Sequence, residues 1–290
     1  MSKRNPEYDF KWCPGCGDFG VVRSVEFALA ERVNRLKEPI EKTAIIAGIG
    51  CSGNLVHLQE GPQPYGFHGI HGRALAIAWG TKAARPDLNV LTVCGDGDFL
   101  SIGAEHIGPQ AKRNLDITAV VMDNGIYGLT KGQASPTTGF GVVTATTPYG
   151  KLEDALRPLD LYLSLGVSFV ASGISTRPRD LAALITAAMD HPGFSIVHVQ
   201  SPCTTYNDTY EALKGNPEKG MEPMAHPVPD DHDPSNMAAA RALVEMPGVP
   251  IGIVYKAANS IPMHGRLAEA RERMKVRTRT VDELLTALEV

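Results

Sequence analysis

The stretch KWCPGCGDFG, residues 11–20, sets Cys13 and Cys16 three positions apart between a tryptophan and a glycine pair. Two thiols at that spacing suit a zinc ion, a redox disulfide or an iron-sulfur cluster, and the decapeptide alone does not choose among them. A second stretch with chemistry in it is CGDGDFLSIG, residues 94–103. Glycines at a strand-to-helix turn let the backbone approach a phosphate closely. Gly95 and Gly97 flank Asp96 there, and the Asp96 carboxylate is a hard oxygen ligand suited to Mg²⁺. In MDNGIYG, residues 122–128, Asn124 offers a side-chain oxygen and Ile126 a backbone carbonyl. These three oxygens would leave the other positions of the metal to diphosphate and water, so the donor set predicts a magnesium-diphosphate site. Competing motifs fail on spacing. The loop lacks the closing Glu of an EF-hand, and GDGDFLSIG lacks the GxGxxG of a dinucleotide turn.

These turns act together only if the elements between them return the chain to one rim. Val22, Val25, Leu29 and Val33 recur at helical spacing over residues 19–37, and TAIIAGIG (43–50) is a short apolar strand running into glycines. HGRALAIAWGTKAAR (71–85) predicts a helix, VLTVCG (90–95) a strand, IGAEHIGPQAKRN (102–114) a helix despite Pro109, and ITAVVM (117–122) a strand. Residues 165–171 read as strand, RPRDLAALITAAMD (177–190) as helix and FSIVHVQ (194–200) as strand. This alternation predicts an α/β fold, a doubly wound and mostly parallel sheet, over residues 1–210. One helix and one strand separate the GDGD turn from the DN turn, so both fall on the same edge. Residues 211–290 change character: GNPEKGMEPMAHPVPDDHDP (215–234) is rich in Pro, Gly and acid. They are expected to form an extended arm and a small helical tail.

Composition narrows the function classes. The 290 residues are 43% apolar with a formal net charge of -4, enough to bury a substantial core and without the basic excess of a nucleic-acid binder. The start MSKRNPEYDF has no apolar signal core, and no run approaches the roughly 18 apolar residues of a membrane helix. A cytoplasmic protein with no membrane and no nucleic-acid partner is expected. In that reducing compartment five cysteines favour metal or redox chemistry over a disulfide framework.

GDG, then 25 residues, then DN resembles the thiamine diphosphate motif, with Asp123 standing where the motif has the first Asn of a pair. WCPGCGDFG, GIGCSG, FHGIHGRALAIAWG, GDGDFLSIG, NGIYGLTKGQASPT and PCTTYND follow one another across residues 12–208 in the order found in β subunits of the 2-oxoacid:ferredoxin oxidoreductases. The YGLTKGQASPT and CTTYND forms are most similar to the 2-oxoglutarate branch. The resemblance implies the diphosphate-binding module of a thiamine diphosphate enzyme, with Mg²⁺ on Asp96, Asn124 and Ile126. It also implies one 4Fe-4S cluster on Cys13, Cys16, Cys51 and Cys203. Cys94 lies outside that scheme and reads as a small buried residue. By the same resemblance Ile49, Gly50, Cys51 and Ser52 line the thiamine, Gly97 and Asp98 contact its diphosphate, and Gly128 and Leu129 approach it from the second turn. His71 is expected to contact the cofactor, and Lys131 to meet a substrate carboxylate.

The implied activity is a reversible, coenzyme A-dependent oxidative decarboxylation of a 2-oxoacid, with electrons leaving through the cluster to ferredoxin. The implied partner is an α subunit that supplies the pyrimidine-binding module and its activating carboxylate, as a heterodimer or a dimer of heterodimers. A departure bears on substrate: several relatives carry a basic residue three positions after the third cluster cysteine, where this chain has Asn54. Pyruvate or broad 2-oxoacid specificity is the competing enzymatic reading. A non-catalytic thiamine-binding protein with structural zinc is the competing class.

Overall fold

Runs such as Val90-Leu91-Thr92-Val93-Cys94 are apolar on both faces, the pattern of a strand covered by helices on each side. The computed structural model, which describes residues 11–275, 277 and 279–289, places them at the centre of an eight-stranded sheet. The strands are β1 (Thr43–Ala47), β2 (Tyr65–His68), β3 (Asn89–Gly95), β4 (Ile117–Asp123), a small separate hairpin of β5 (Ile126–Tyr127) and β6 (Gln133–Ala134), then β7 (Phe169–Ile174), β8 (Ser195–Gln200), β9 (Ala225–Pro227) and β10 (Val249–Lys256). The helices are α1 (Asp18–Glu31), α2 (Leu55–Leu58), α3 (Ala74–Ala84), α4 (Ile107–Arg113), α5 (Pro158–Ser164), α6 (Pro178–Met189), α7 (Tyr210–Lys214), α8 (Met237–Glu245), α9 (Met263–Arg273) and α10 (Val281–Thr286). Strand order is β2-β1-β3-β4-β8-β7-β10-β9. Every neighbouring pair runs parallel except β7 with β10.

Alternation along each strand sends successive side chains to opposite faces. Ile117, Ala119 and Val121 meet Leu75, Ile107, Tyr162 and Leu243 of α3, α4, α5 and α8. Val120 and Met122 meet Val25, Leu29 and Ile185 of α1 and α6 on the other face. Burying each such large apolar side chain stabilises the fold by about 1.5–3 kcal/mol. The result is the doubly wound α/β sheet expected from the alternation. Its register sets Ala47 beside Val93, Gly95 beside Met122 and Asp123 beside Gln200, so four parallel strands end together at one carboxyl rim.

The structure corrects three parts of the sequence reading. Residues 225–256 are more than an arm: β9 and β10 extend the main sheet, and Ala240, Leu243 and Val244 of α8 are buried in its core. Pro250 and Gly252 hide the β10 strand signal, and its position near the sheet edge, with a register shift between Ile253 and Tyr255, accommodates them. The helical tail is α9 and α10, neither of which buries a residue. The single helix expected over 102–114 is a wide turn at Asp98–Ile102, a tight one at Ala104–His106 and then α4, with Pro109 in its first turn where a missing N–H costs nothing. The strand expected from residue 165 starts at Phe169, because Gly166 turns the chain after α5 at φ +77°. Among the described residues no helix is long and apolar enough to cross a membrane.

Candidate functional site

The loops that leave β1, β3 and β4 enclose a cleft of about 220 Å³ at the carboxyl rim. Ile49, Gly50, Cys51 and Ser52 line it from the first loop, Gly95, Asp96, Gly97 and Asp98 from the second, and Asn124, Ile126, Tyr127, Gly128, Leu129 and Thr130 from the third. His71 completes the wall. All the residues expected to serve thiamine, diphosphate or Mg²⁺ are thus brought together. Lys131 is not among the lining residues. It is exposed, one step beyond Thr130, in a left-handed conformation at φ +84° that an L side chain adopts at a cost.

Asp96 is 1% exposed, and the network behind it was not legible in the sequence. The Thr137 hydroxyl lies 2.7 Å from Asp96 Oδ2 and 2.7 Å from Asp123 Oδ1. One hydroxyl proton serves only one carboxylate at a time, so the two acids are coupled. Burial, then the charge of Asp123, raises the Asp96 carboxyl, against the opposing hydrogen bonds of Ser135, Thr137 and Asn124. Burial pushes Asp123 the same way, but His198, Thr137 and the Gly125 amide outweigh it and hold Asp123 below the usual range. His198 Nε2 sits 2.9 Å from Asp123 Oδ2, and its Nδ1 lies 3.2 Å from the Tyr162 hydroxyl. Thr137 is held from behind by buried Lys151, whose ammonium donates to the carbonyls of Ser135, Pro136 and Thr138 at 2.9–3.2 Å.

Asp98 has its own task. Its Oδ1 accepts from the amides of Ile49 at 3.1 Å and Gly72 at 2.7 Å and lies 2.6 Å from His71 Nδ1. The carboxylate therefore pins the first loop and the His71 loop to the second. A carboxylate only accepts, so it also assigns a proton to Nδ1. At Gly97 any Cβ would stand 2.3 Å from the Tyr127 ring, whose hydroxyl donates to the Gly97 carbonyl at 3.0 Å, so only glycine fits this turn. Arg73, two positions after His71, donates to the Ile102 carbonyl at 2.9 Å and pairs with Glu105 at 3.1 Å.

The cysteines gather at the same rim. A Cβ at Gly128 would come 3.6 Å from Cys51 Sγ and 3.8 Å from Cys203 Sγ, which puts both sulfurs against the cleft wall. The CPGC turn is tied to the segment after β8 by the Gly17 amide on the Pro202 carbonyl at 3.0 Å and by the Thr204 hydroxyl on the Pro14 carbonyl at 3.0 Å. Trp12 Nε1 donates to the Cys51 carbonyl at 2.7 Å. Burial, the Asp18 carboxylate and the thiols of Cys203 and Cys13 push Cys51 up to about 11, and burial with Asp18 raises Cys16 as well. Cys94 is buried within β3, as expected of a small core residue.

Comparison with known proteins follows the same lines. Residues 48–199 match the family model described as thiamine pyrophosphate enzyme, C-terminal TPP binding domain. The chain is 37% identical to the 2-oxoacid:ferredoxin oxidoreductase 1 β subunit of Aeropyrum pernix, over 84% of its own length and 77% of the relative's. It is 42% identical to the 2-oxoglutarate synthase subunit KorB of Archaeoglobus fulgidus, over 71% of this chain and 76% of that one. The chain belongs to the β subunits of the 2-oxoacid:ferredoxin oxidoreductases. Its fold also matches a solved 2-oxoglutarate:ferredoxin oxidoreductase from Magnetococcus marinus, described with 2-oxoglutarate, coenzyme A and succinyl-CoA bound. That match has a TM-score of 0.86 and 39% identity, and it covers 99% of this β subunit and 94% of the solved chain. As a β subunit of an oxidoreductase it works with an α partner, and it carries the thiamine diphosphate-binding domain of the pair.

Sequence reasoning missed Thr137, His198, Tyr162, Lys151 and the role of Asp18. Only Asp18 carried a signal, as an acid two positions after Cys16 in the opening decapeptide. The others sit at no recognisable spacing from the ligands they support.

Proposed function

We propose that this β subunit binds thiamine diphosphate through Mg²⁺ held by Asp96, Asn124 and the Ile126 carbonyl. In the same reading it carries one 4Fe-4S cluster on Cys13, Cys16, Cys51 and Cys203, and it serves the reversible, coenzyme A-acylating oxidation of 2-oxoglutarate with ferredoxin as electron acceptor. The observation that carries this reading is the meeting of thiols and cleft at Gly128, where Cys51 and Cys203 stand against the wall of the cleft that Asp96 also lines. Bound thiamine diphosphate supplies the electron sink for decarboxylation, and a cluster at the sulfurs supplies one-electron transfer. The chain's own residues do the rest. Asp96 anchors the diphosphate's metal, Gly97 and Asp98 bring backbone to the phosphates, and His71, oriented by Asp98, holds or accepts a proton at Nε2 beside the thiamine.

A cluster is favoured over zinc by where the thiols stand: Cys51 and Cys203 lie against the cleft of a chain whose relatives are ferredoxin oxidoreductases, and a redox group there has a use that a structural zinc ion lacks. Ile70, Ile102 and Leu129 leave apolar surface exposed by the cleft mouth, 72%, 45% and 52% respectively, which supports coverage by an α subunit carrying the pyrimidine module and its carboxylate.

Substrate choice rests on few cations. With Arg73 paired to Glu105 and Asn54 buried and uncharged, Lys131 or the α subunit must meet the distal carboxylate of 2-oxoglutarate. That scarcity favours a second reading, broad 2-oxoacid specificity that includes pyruvate. The test is anaerobic purification of the co-expressed pair. The reading expects a brown complex that bleaches with 2-oxoglutarate plus coenzyme A and reduces ferredoxin faster than with pyruvate. A colourless, zinc-loaded complex would overturn it, and preferential turnover of pyruvate would overturn the substrate assignment.

A further inference from the structure

We infer that Asp18 is the positioning residue that locks the three cysteine-bearing segments into one cage before any cluster is bound; the inference rests on the cluster reading above. Asp18 is the first residue of α1 and is 0% exposed. Its Oδ1 accepts from the Ser201 hydroxyl at 2.6 Å and its Oδ2 from the Ser52 hydroxyl at 3.3 Å. Each of the three residues belongs to a different cysteine segment: Asp18 follows Cys16 by two positions, Ser52 follows Cys51 directly and Ser201 precedes Cys203 by two. The bonds span 34 and 183 residues of sequence, so one carboxyl group joins parts of the chain that local structure cannot hold together.

The arrangement is not that of an ordinary helix-terminal acid. Such a residue lies at the surface, where the positive end of the helix dipole stabilises it by a few tenths of a kcal/mol to about 1 kcal/mol. Asp18 is instead withdrawn from water, which costs far more than the dipole returns unless the carboxylate is hydrogen-bonded. A buried acid beside thiols that must ionise is a poor choice for stability alone. It makes sense as a bridge: its two oxygens join all three segments at one buried point, adding to the Trp12, Gly17 and Thr204 bonds that tie them pairwise. The packing leaves no slack around it: a Cβ at Gly17 would stand 2.7 Å from the Ser201 carbonyl carbon and hydroxyl. Ser52 also lines the cleft, so the same bridge ties the cage to the thiamine wall.

The experiment compares anaerobically purified αβ complex of the parent chain with Asp18→Asn, Asp18→Ala and Ser201→Ala, by iron content and visible absorbance. Thermal melting of each metal-free complex separates misfolding from loss of the cage. Asn keeps one acceptor and one donor in place of the two oxygens, so Asp18→Asn should hold iron within about twofold of the parent. Asp18→Ala should lose iron at least about tenfold, and Ser201→Ala an intermediate amount, while the metal-free complexes still melt cooperatively. An Asp18→Ala complex as fully loaded as the parent would overturn the inference. So would an Asp18→Asn complex as empty as Asp18→Ala, since charge rather than bridging would then be responsible. A parent complex without iron is a different result: it overturns the cluster reading itself.

Discussion

At the amino-terminal edge of the sheet, Asn114 Oδ1 accepts from the Ser168 hydroxyl and the Phe194 amide, both at 2.8 Å, while its Nδ2 donates to Ser260 at 3.0 Å. His191 Nε2 lies 3.0 Å from the same Ser168 hydroxyl. At the carboxyl edge, Asp18, Asp96 and Asp123 are buried beside four thiols, and two of those acids and two of the thiols are pushed toward their neutral forms. Both edges bury polar groups. The first pairs nearly all its donors and acceptors inside the protein, with His191 Nδ1 as the exception. The second concentrates acids and thiols, and burial raises most of them toward neutral forms. The lesson is that buried polar networks serve stability where they close on themselves, and function where they stay electrostatically incomplete.

The largest effect should come from Cys203→Ser at the rim, which is expected to lower ferredoxin reduction by at least about 10³-fold while the melting temperature of the metal-free complex stays within a few degrees. A large loss of stability instead would mean that the rim thiols serve the fold. Asn114→Ala at the other edge should do the reverse. Denaturant unfolding should show a loss of about 3 kcal/mol, since each buried group left unpaired costs on the order of 1–3 kcal/mol, with cofactor affinity per folded molecule unchanged.

Thr137→Val sharpens the contrast within the rim. It removes the hydroxyl shared by Asp96 and Asp123 and should raise the Mg²⁺ concentration for half-saturation of thiamine diphosphate binding by about 10-fold, read by titration calorimetry. No change would show that Asp96 is positioned by its own backbone. The smallest effect concerns pH. Burial, then the charge of Lys256, depresses His191 to about 4. A depressed imidazole lends its stability above the unfolded value near 6.5 and loses it as pH falls toward 4. The melting temperature should therefore decline over that interval, and His191→Gln should flatten the decline. A slope that survives the substitution would assign it to other groups.

Much of the rim was legible before the fold was known. Apolar β-branched runs that break into glycine mark parallel strands entering ligand-binding turns, and that signal located Asp96, Asn124 and the Gly95 and Gly97 pair. Cys13 and Cys16 announced themselves by spacing. The supporting residues did not, because their function lies in what they touch. Thr137 sits in a loop after a two-residue strand, His198 reads as one polar residue inside an apolar strand, and Lys151 resembles any surface lysine until its three carbonyl partners are seen. Strand β10 was hidden by a proline and a glycine that its place near the sheet edge tolerates.

Local chemistry, then, is written in the chain itself: backbone preference and side-chain type act over a few residues, so elements, turns and donor atoms follow from the sequence alone. Which donors share a volume was decided by tertiary structure. The strand order sets β1, β3, β4 and β8 side by side and so gathers residues 52, 128 and 201, while the packing of α1 against the sheet and α6 delivers residue 18. Pairing between distant strands depends on the packing of the whole core. Short-range preference therefore carries no record of it.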